Sequence, residues 1–457
     1  MSFAAPRAPV STPTLAVVGA GPKGLAIAAK QAVLRRLGIA APEVVLLDRH
    51  GVAAHWSGAH GYTDGHRLLG TAPEKDVGFP YDSRAWGDAE RNRAVDAAML
   101  GYSWSAYLVA TYKYSAWIDR DRVRPTHEEW AAYLRWVGDA VRPRVIVGEL
   151  AALHVADDGR WRLRYRSSAD AHEEELPADG VVVTGPGEAT RISGQPESHP
   201  RVLDGATVWK ALDILVPPPN TTSPIRIGVV GSGETAAAAV VALLEVMGNR
   251  ARVGVVLPHG VLYTRDEGYE ENRLFSDPDP HDTSDARNHR HATRWLSLTV
   301  QDRREFVHRA DRGVFSVQAV RELTRAYDVQ TLIGAARALE ARSDDVRLTL
   351  SYGGVEETHT FDYVVVATGF DPLWFLRYLS GGARARLQAA VGALTLEAVE
   401  AAVAYDLGIA CLTPRLHVPM LSGVAQGPGF PNLSCLGLLA ERVLASYAPS
   451  VHESRPE

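Results

Sequence analysis

Cysteine is almost missing: Cys411 and Cys435 are the only two in 457 residues. They are too few for a disulfide framework and too far apart for a Cys-x-x-Cys pair, which argues against a dithiol-exchanging flavoprotein reductase. No apolar run reaches membrane-spanning length, and the start, Met1 to Pro9, lacks the apolar core of a signal peptide. A cytoplasmic protein with no membrane partner is expected. Neither sign of charge dominates, with 48 Lys and Arg against 54 Asp and Glu and a net charge of −6. Nothing in that balance would draw the chain to nucleic acid or to an anionic membrane. Short-period repeats are absent too. What is left is an ordinary globular composition, 46% hydrophobic and 22% charged, in a chain long enough for two or three domains. A homo-oligomer is allowed but not required.

Two glycine-rich stretches stand out against that background. Gly19-Ala20-Gly21-Pro22-Lys23-Gly24 and Gly231-Ser232-Gly233-Glu234-Thr235-Ala236 each follow a β-branched run and precede an Ala-rich helical stretch. In such a fingerprint the first Gly makes the strand-to-helix turn. The second lets backbone N–H groups approach a pyrophosphate, and the third small residue lets helix pack on strand. The anion sits at a helix N-terminus. One chain is therefore expected to hold two dinucleotides. After the first motif the next strand, Glu43 to Leu47, ends at Asp48, a carboxylate placed to accept from an unphosphorylated adenosine ribose, as in FAD. After the second, the strand Arg252 to Leu257 ends in Pro258-His259 without an acid, and Arg265 downstream could pair with a 2′-phosphate. FAD is expected at Gly19, Gly21, Gly24 and Asp48, and NADPH at Gly231, Gly233, Ala236 and Arg265.

The pattern along the chain suggests one domain interrupted by another. The spacing of Thr126 and Glu129 predicts a capping box before a helix around Trp130–Val137. The strand Gly180 to Thr184 leads to Gly185-Pro186-Gly187, where the chain turns towards a second unit. Val216 to Pro224 reads as a Pro-rich linker. The buried run Phe361 to Gly369 is expected to return the chain to the first sheet, and the last ten or so residues read as a tail. The expected fold is α/β, with two Rossmann-like dinucleotide-binding domains and a small substrate-binding region between them. Residues 1–205 and 355–457 would form the discontinuous FAD domain and 206–354 the NADPH domain, with a substrate-binding segment near 266–320. The polar stretch 270–316 reads as a solvated loop. Its His281, His289 and His291 are poor metal ligands, because an i,i+2 pair does not share a helix face and no cysteine accompanies them, so no metal is expected.

Longer segments carry a resemblance. They are Gly70 to Tyr81 (GTAPEKDVGFPY), Gly231 to Ala237, Glu271 to Pro278, Asp311 to Ser316, Asp371 to Phe375 and Gln426 to Leu439. With these the chain resembles, from the first fingerprint almost to the C-terminus, the flavin-dependent N-hydroxylating monooxygenases of siderophore biosynthesis, most closely the L-lysine N6-monooxygenases of the mycobactin and nocobactin pathways. The related Baeyer–Villiger enzymes would show Phe-x-Gly-x-x-x-His before the second fingerprint, and Gly185 to Pro200 does not contain it.

The resemblance implies that NADPH reduces FAD, that O2 is trapped as a flavin C4a-hydroperoxide, and that one oxygen passes to the side-chain amine of L-lysine. It also implies that Lys75 pairs with the substrate α-carboxylate, that Asn272 holds the same end, and that Leu433 and Ser434 close near the flavin ring and the substrate. Arg265 matches the arginine for the NADPH 2′-phosphate. Two departures matter: Val314-Phe315-Ser316 stands where ornithine enzymes have Asn-Tyr-Ser, and Gly70 stands where they have a flavin-contacting glutamine. No catalytic side chain and no residue orienting NADP+ can be named. L-ornithine, another amino acid or a diamine would suit the same chemistry, and a flavin-binding regulator without turnover is a third reading.

Overall fold

A computed structural model describes residues 12–169, 171–212, 215, 223–265, 268–278, 295–310, 313–326 and 329–448. The side chains of Arg265 and Glu270 are outside that description. So are most of the linker stretch 216–224, the three histidines considered as metal ligands, the Asp311-Arg312 pair and the last nine residues.

Two parallel sheets organise the chain. The first is seven-stranded, in the order Arg415–His417, Gly180–Val183, Thr14–Val18, Glu43–Asp48, Arg144–Val155, Trp161–Ser167, Glu173–Ala178. Its first five strands run parallel and its last two turn back as an antiparallel meander. The central strands are buried almost end to end, as parallel strands covered on both faces must be. The second sheet is five-stranded and all parallel, in the order Val329–Ile333, Ala251–Leu257, Ile225–Val230, Tyr363–Val366, Val202–Asp204. A three-stranded antiparallel ribbon, Ala335–Ala341, Val346–Tyr352 and Val355–Phe361, packs beside it.

One expectation fails here. The run after Phe361 does not rejoin the first sheet; Tyr363–Val366 lies in the second, between Ile225–Val230 and Val202–Asp204. The reason is local reach. Only Asp362 separates this strand from the antiparallel ribbon, and Asp362 is bonded both ways to Arg226 of the neighbouring strand, N to O at 2.8 Å and Oδ2 from N at 2.7 Å. The return comes later, where Leu153 N–H donates to Tyr378 O at 2.6 Å and Arg415–His417 pairs with Gly180–Val183. The second sheet thus takes strands from outside 206–354.

The helix Pro22–Arg36 starts at the first fingerprint and is buried on nearly every side over its first nine residues. It lies between the sheet and the helices His127–Val141 and Leu436–Ala445. His127–Val141 begins with the expected capping box, Thr126 Oγ1 accepting from Glu129 N–H at 3.2 Å and Glu129 Oε2 accepting from Thr126 N–H at 2.9 Å. The described parts of 270–316 are more ordered than the expected solvated loop, and residues 279–294 and 311–312 lie outside the description. Tyr269–Ser276 and Val300–Ala310 are helices, and Phe275 of the first and Trp295 between the two are 0% exposed. Their aromatic rings close on Phe306, and Trp295 Nε1 donates to Val424 O at 3.0 Å.

Burial of those first nine residues leaves Lys30, the last of them, no route to water. Its Nζ bonds Ser83 Oγ at 3.0 Å and pairs with Glu441 Oε2 at 3.4 Å, both side chains of the ion pair being at most 4% exposed. Removing one partner strands the other charge. Lys30→Met should therefore cost about 3–5 kcal/mol of unfolding free energy in a denaturant titration; a loss below about 1 kcal/mol, the value of a solvated pair, would contradict this.

Candidate active site

Both fingerprints have the geometry their glycines require. Gly19 turns the chain at φ +116°, and a Cβ there would stand 2.1 Å from Thr184 Oγ1. A Cβ on Gly24 would stand 2.3 Å from Gly19 O, so helix and turn touch directly. In the second motif Gly231 has φ +141° and approaches Ala367 O, while Ala236 suffices for the third position and is fully buried. The middle glycines are different. Nothing lies within 4 Å of a Cβ on Gly21, and for Gly233 only Gly313 N, at 3.9 Å. Each is an open cradle at a helix N-terminus, and each fits a pyrophosphate.

Asp48 sits where a ribose acceptor is expected, but much of its carboxylate is already engaged. Oδ2 accepts from Ala20 N–H at 2.9 Å, and Oδ1 accepts from His50 and Gly51 N–H at 2.9 and 3.0 Å. It therefore ties the glycine turn to the end of the second strand as well as facing the cavity. That cavity, about 200 Å³, is lined by Gly19, Asp48, His50, His55, Glu149, Thr184 and Arg377 among others. Sequence reasoning missed its aromatic shelf: His50 stacks on His60 at 4.0 Å and His55 on Tyr62 at 3.4 Å between ring centroids. No spacing rule flags four such rings in a loop.

A second cavity of about 350 Å³ lies under the other unit. Trp56, Tyr62, Leu69 and Gly70 meet Glu234, Ala238, Val241 and Glu245 of the helix Glu234–Met247, with Asn432, Leu433 and Ser434 at one end. Arg67 closes the far side by pairing with Glu245 at 2.6 Å, across the two units. Ser434 is 1% exposed and its Oγ has no hydrogen-bond partner among the described residues. His127, on the same wall, bonds Thr63 Oγ1 through Nδ1 at 2.8 Å. A third cavity of about 570 Å³ holds Gly231, Ser232 and Gly233 together with Gly185, Gly187 and Trp374. Tyr62 lines both the first and second cavities, Glu234 and Asn432 the second and third, and Trp374 the third and first. The three adjoin, sharing these residues as common walls.

The expected amino-acid anchors meet each other. Lys75 Nζ donates to Asn272 Oδ1 at 3.0 Å across 197 residues of sequence. Arg84, from the same region as Lys75, pairs with Asp277 at 2.6 Å, beyond the end of the helix that carries Asn272. Neither Lys75 nor Asn272 is among the residues lining the three cavities. Arg265 ends the strand Tyr263–Arg265, opposite Ser316 in a parallel pair with Val314–Ser316; its side chain lies outside the described residues. The fingerprint residue that sequence reasoning passed over is Glu234, whose Oε1 comes 3.9 Å from a Cβ placed on Gly70.

Comparison with known proteins follows the same lines. The family model for L-lysine 6-monooxygenase/L-ornithine 5-monooxygenase matches residues 99–372. The L-lysine N6-monooxygenases MbtG of Mycobacterium sp. (strain MCS) and of Mycobacterium tuberculosis are each 42% identical to this chain, over 95% and 96% of both partners respectively. Among solved structures, the lysine monooxygenase NbtG from Nocardia farcinica aligns with a TM-score of 0.78 at 38% identity, covering 94% of this chain and 98% of its own. The ornithine N-hydroxylase KtzI of Kutzneria sp. 744, solved with reduced FAD, NADP+ and L-ornithine, aligns at 0.71 and 17% identity over 96% and 99%, a likeness of fold. The chain belongs to the L-lysine 6-monooxygenase/L-ornithine 5-monooxygenase family.

The buried histidines make stability depend on pH. Burial pushes His55 and His127 down to about 4, and pushes the fully buried His417 down as well. Below about 6.5 the unfolded chain takes up protons that the folded chain refuses, so stability held above that pH is lost as it falls towards 4. The thermal midpoint should fall across that window, and His127→Gln should flatten part of the slope. An unchanged slope would show that His127 is not among the groups responsible.

Proposed function

We propose that this member of the L-lysine 6-monooxygenase/L-ornithine 5-monooxygenase family hydroxylates the side-chain amine of L-lysine with O2, using FAD and NADPH, and forms N6-hydroxylysine for a siderophore or related natural product. FAD is assigned to the cradle of Gly19, Gly21 and Gly24 beside Asp48, with Leu433 near its ring. NADPH is assigned to Gly231, Gly233 and Ala236, with Arg265 on the 2′-phosphate. The sheets support drawing the NADPH unit from about residue 200 to 368, with the FAD unit on either side. The amine and O2 are the small-molecule partners. No described helix is long and apolar enough to cross a membrane; with the charge balance, this supports a cytoplasmic enzyme with neither membrane nor nucleic acid as partner.

The reading rests on the Lys75–Asn272 contact. Lys75 Nζ donates to Asn272 Oδ1, which sets a cation beside an amide whose nitrogen is also a donor. A cradle of donors fits a carboxylate and rejects an ammonium. It would hold the amino acid by its α-carboxylate and leave the side-chain amine extending away from the anchor. Bound FAD and NADPH supply the reducing equivalents and the oxygen activation. The chain's own task is to fix distance and keep water out. A lysine amine has a reference pKa of about 10.4 and is unreactive while protonated. Burial against Leu433 and the second cavity's apolar wall favours the neutral, nucleophilic form.

Purified protein with FAD, NADPH and a panel of amines should yield hydroxylamine from L-lysine at least about tenfold more efficiently than from L-ornithine, since one methylene is worth about 1–3 kcal/mol in such a pocket. Lys75→Ala should raise KM for lysine strongly and leave amine-independent NADPH oxidation nearly intact. Cadaverine turning over as well as lysine would instead mark a diamine hydroxylase. Separately, NADPH should be preferred to NADH and Arg265→Ala should narrow that preference; equal efficiency with both in the unaltered protein would remove the assignment of Arg265.

A further inference from the structure

Lys75 can meet Asn272 only if the turn that carries it is held still. Asp76, the next residue, is 2% exposed, and its carboxylate is tied on several sides. Oδ1 accepts the Tyr81 hydroxyl at 2.6 Å and the Gly78 N–H at 3.1 Å, and Oδ2 accepts the Trp104 N–H at 2.8 Å. Trp104 opens the helix Trp104–Ala110, so the turn is fastened to a separate element. Two further bonds clamp the same stretch: Val77 N–H to the Tyr133 hydroxyl at 3.3 Å, and Gly437 N–H to Phe79 O at 2.7 Å. Burial pushes the Asp76 carboxyl up to about 6, against the pull of those donors. Keeping an ionisable group in such a place is costly. What a carboxylate offers over an amide is an acceptor on both oxygens, able to take donors from three directions at once.

We infer that Asp76 is a positioning residue for amino-acid recognition: its carboxylate locks the turn 72–81 so that Lys75 is presented to Asn272 and to the substrate's α-carboxylate. This rests on the function proposed above. A purely structural role would lower stability, flavin content and kcat together, whereas positioning acts on the amino-acid anchor alone.

Two variants separate these. Asp76→Asn keeps the shape but replaces one acceptor by an NH2 group, and Tyr81→Phe removes one donor from the same carboxylate. Each should raise KM for lysine by about tenfold, the cost of displacing a binding group by a fraction of an ångström or more. kcat, amine-independent NADPH oxidation and bound flavin should change little. Crystal structures of the variants should show Lys75 Nζ beyond hydrogen-bond reach of Asn272 Oδ1. An unchanged KM with the contact retained would overturn the inference, as would a parallel fall in flavin content and kcat. Should Asp76→Asn fail to fold, Tyr81→Phe decides by the same readouts. Should the unaltered protein make no hydroxylamine from lysine, the functional reading falls, and the Lys75–Asn272 distance in the variants alone decides the role of Asp76.

Discussion

Two glycine turns that fit a pyrophosphate, opening on adjoining cavities, constrain almost everything else in this protein. Each cradle needs a parallel strand ending in a tight turn and a helix whose first N–H groups are bare. Gly19 and Gly231 make those turns, against Thr184 and Ala367 respectively. Because the residues after the strand Gly180–Val183 and those after Tyr363–Val366 line the same cavity as Gly231 to Gly233, the carboxyl ends of both sheets face a common space. Binding at the carboxyl ends of parallel strands is the general rule for such sheets. Here the rule is applied twice within one chain, and the two proposed nucleotide sites are left as neighbours.

Bringing those ends together creates a seam that must be closed by polar contacts. Arg67 to Glu245 and Arg84 to Asp277 span it as ion pairs, and Lys75 to Asn272 spans it as a hydrogen bond. Trp295 Nε1 and Arg303 both reach Val424 O, at 3.0 and 2.9 Å. Ion pairs and single hydrogen bonds of this kind are individually modest. A seam built from them joins the two units, while among the described residues each unit keeps its own apolar cluster. The core clusters bear this out: the helix Pro22–Arg36 and its neighbours form one, and the helix Glu234–Met247 with the second sheet forms another. The Lys75–Asn272 contact, the proposed amino-acid anchor, lies across the seam, so its geometry depends on how the two units sit.

Much of this was legible in the chain itself. Both fingerprints, the capping box of Thr126 and Glu129, and the two central strands that carry Asp48 and Leu257 are local signals, fixed by turn sterics and helix-end hydrogen bonding within a few residues. The conjunction of Lys75 with Asn272 came from family resemblance, since nothing in 197 intervening residues predicts that contact. The stacked rings His50–His60 and His55–Tyr62 gave no signal at all, because ring stacking in a loop depends on where the loop is folded back. The ordered helices in 270–310 were hidden for a related reason: their surfaces are polar, and the few apolar residues on and between them, Leu274, Trp295 and Val307, are buried against each other.

The misplaced strand marks the division most clearly. That Tyr363–Val366 is a buried strand followed by glycine could be read from four residues, because β-branching and burial are properties of the strand alone. Which sheet it joins could not, because both sheets offer a parallel edge and the pattern Val-Val-Val suits either. The choice was made by the chain's path, with one residue between the antiparallel ribbon and the strand, and by Asp362 bonding to Arg226. The sequence by itself determined the two nucleotide turns and the types of element around them, since those are short-range steric matters. The tertiary structure alone decided the partnering of strands and the meeting of Lys75 with Asn272, since both depend on distances between segments that only the packed chain sets.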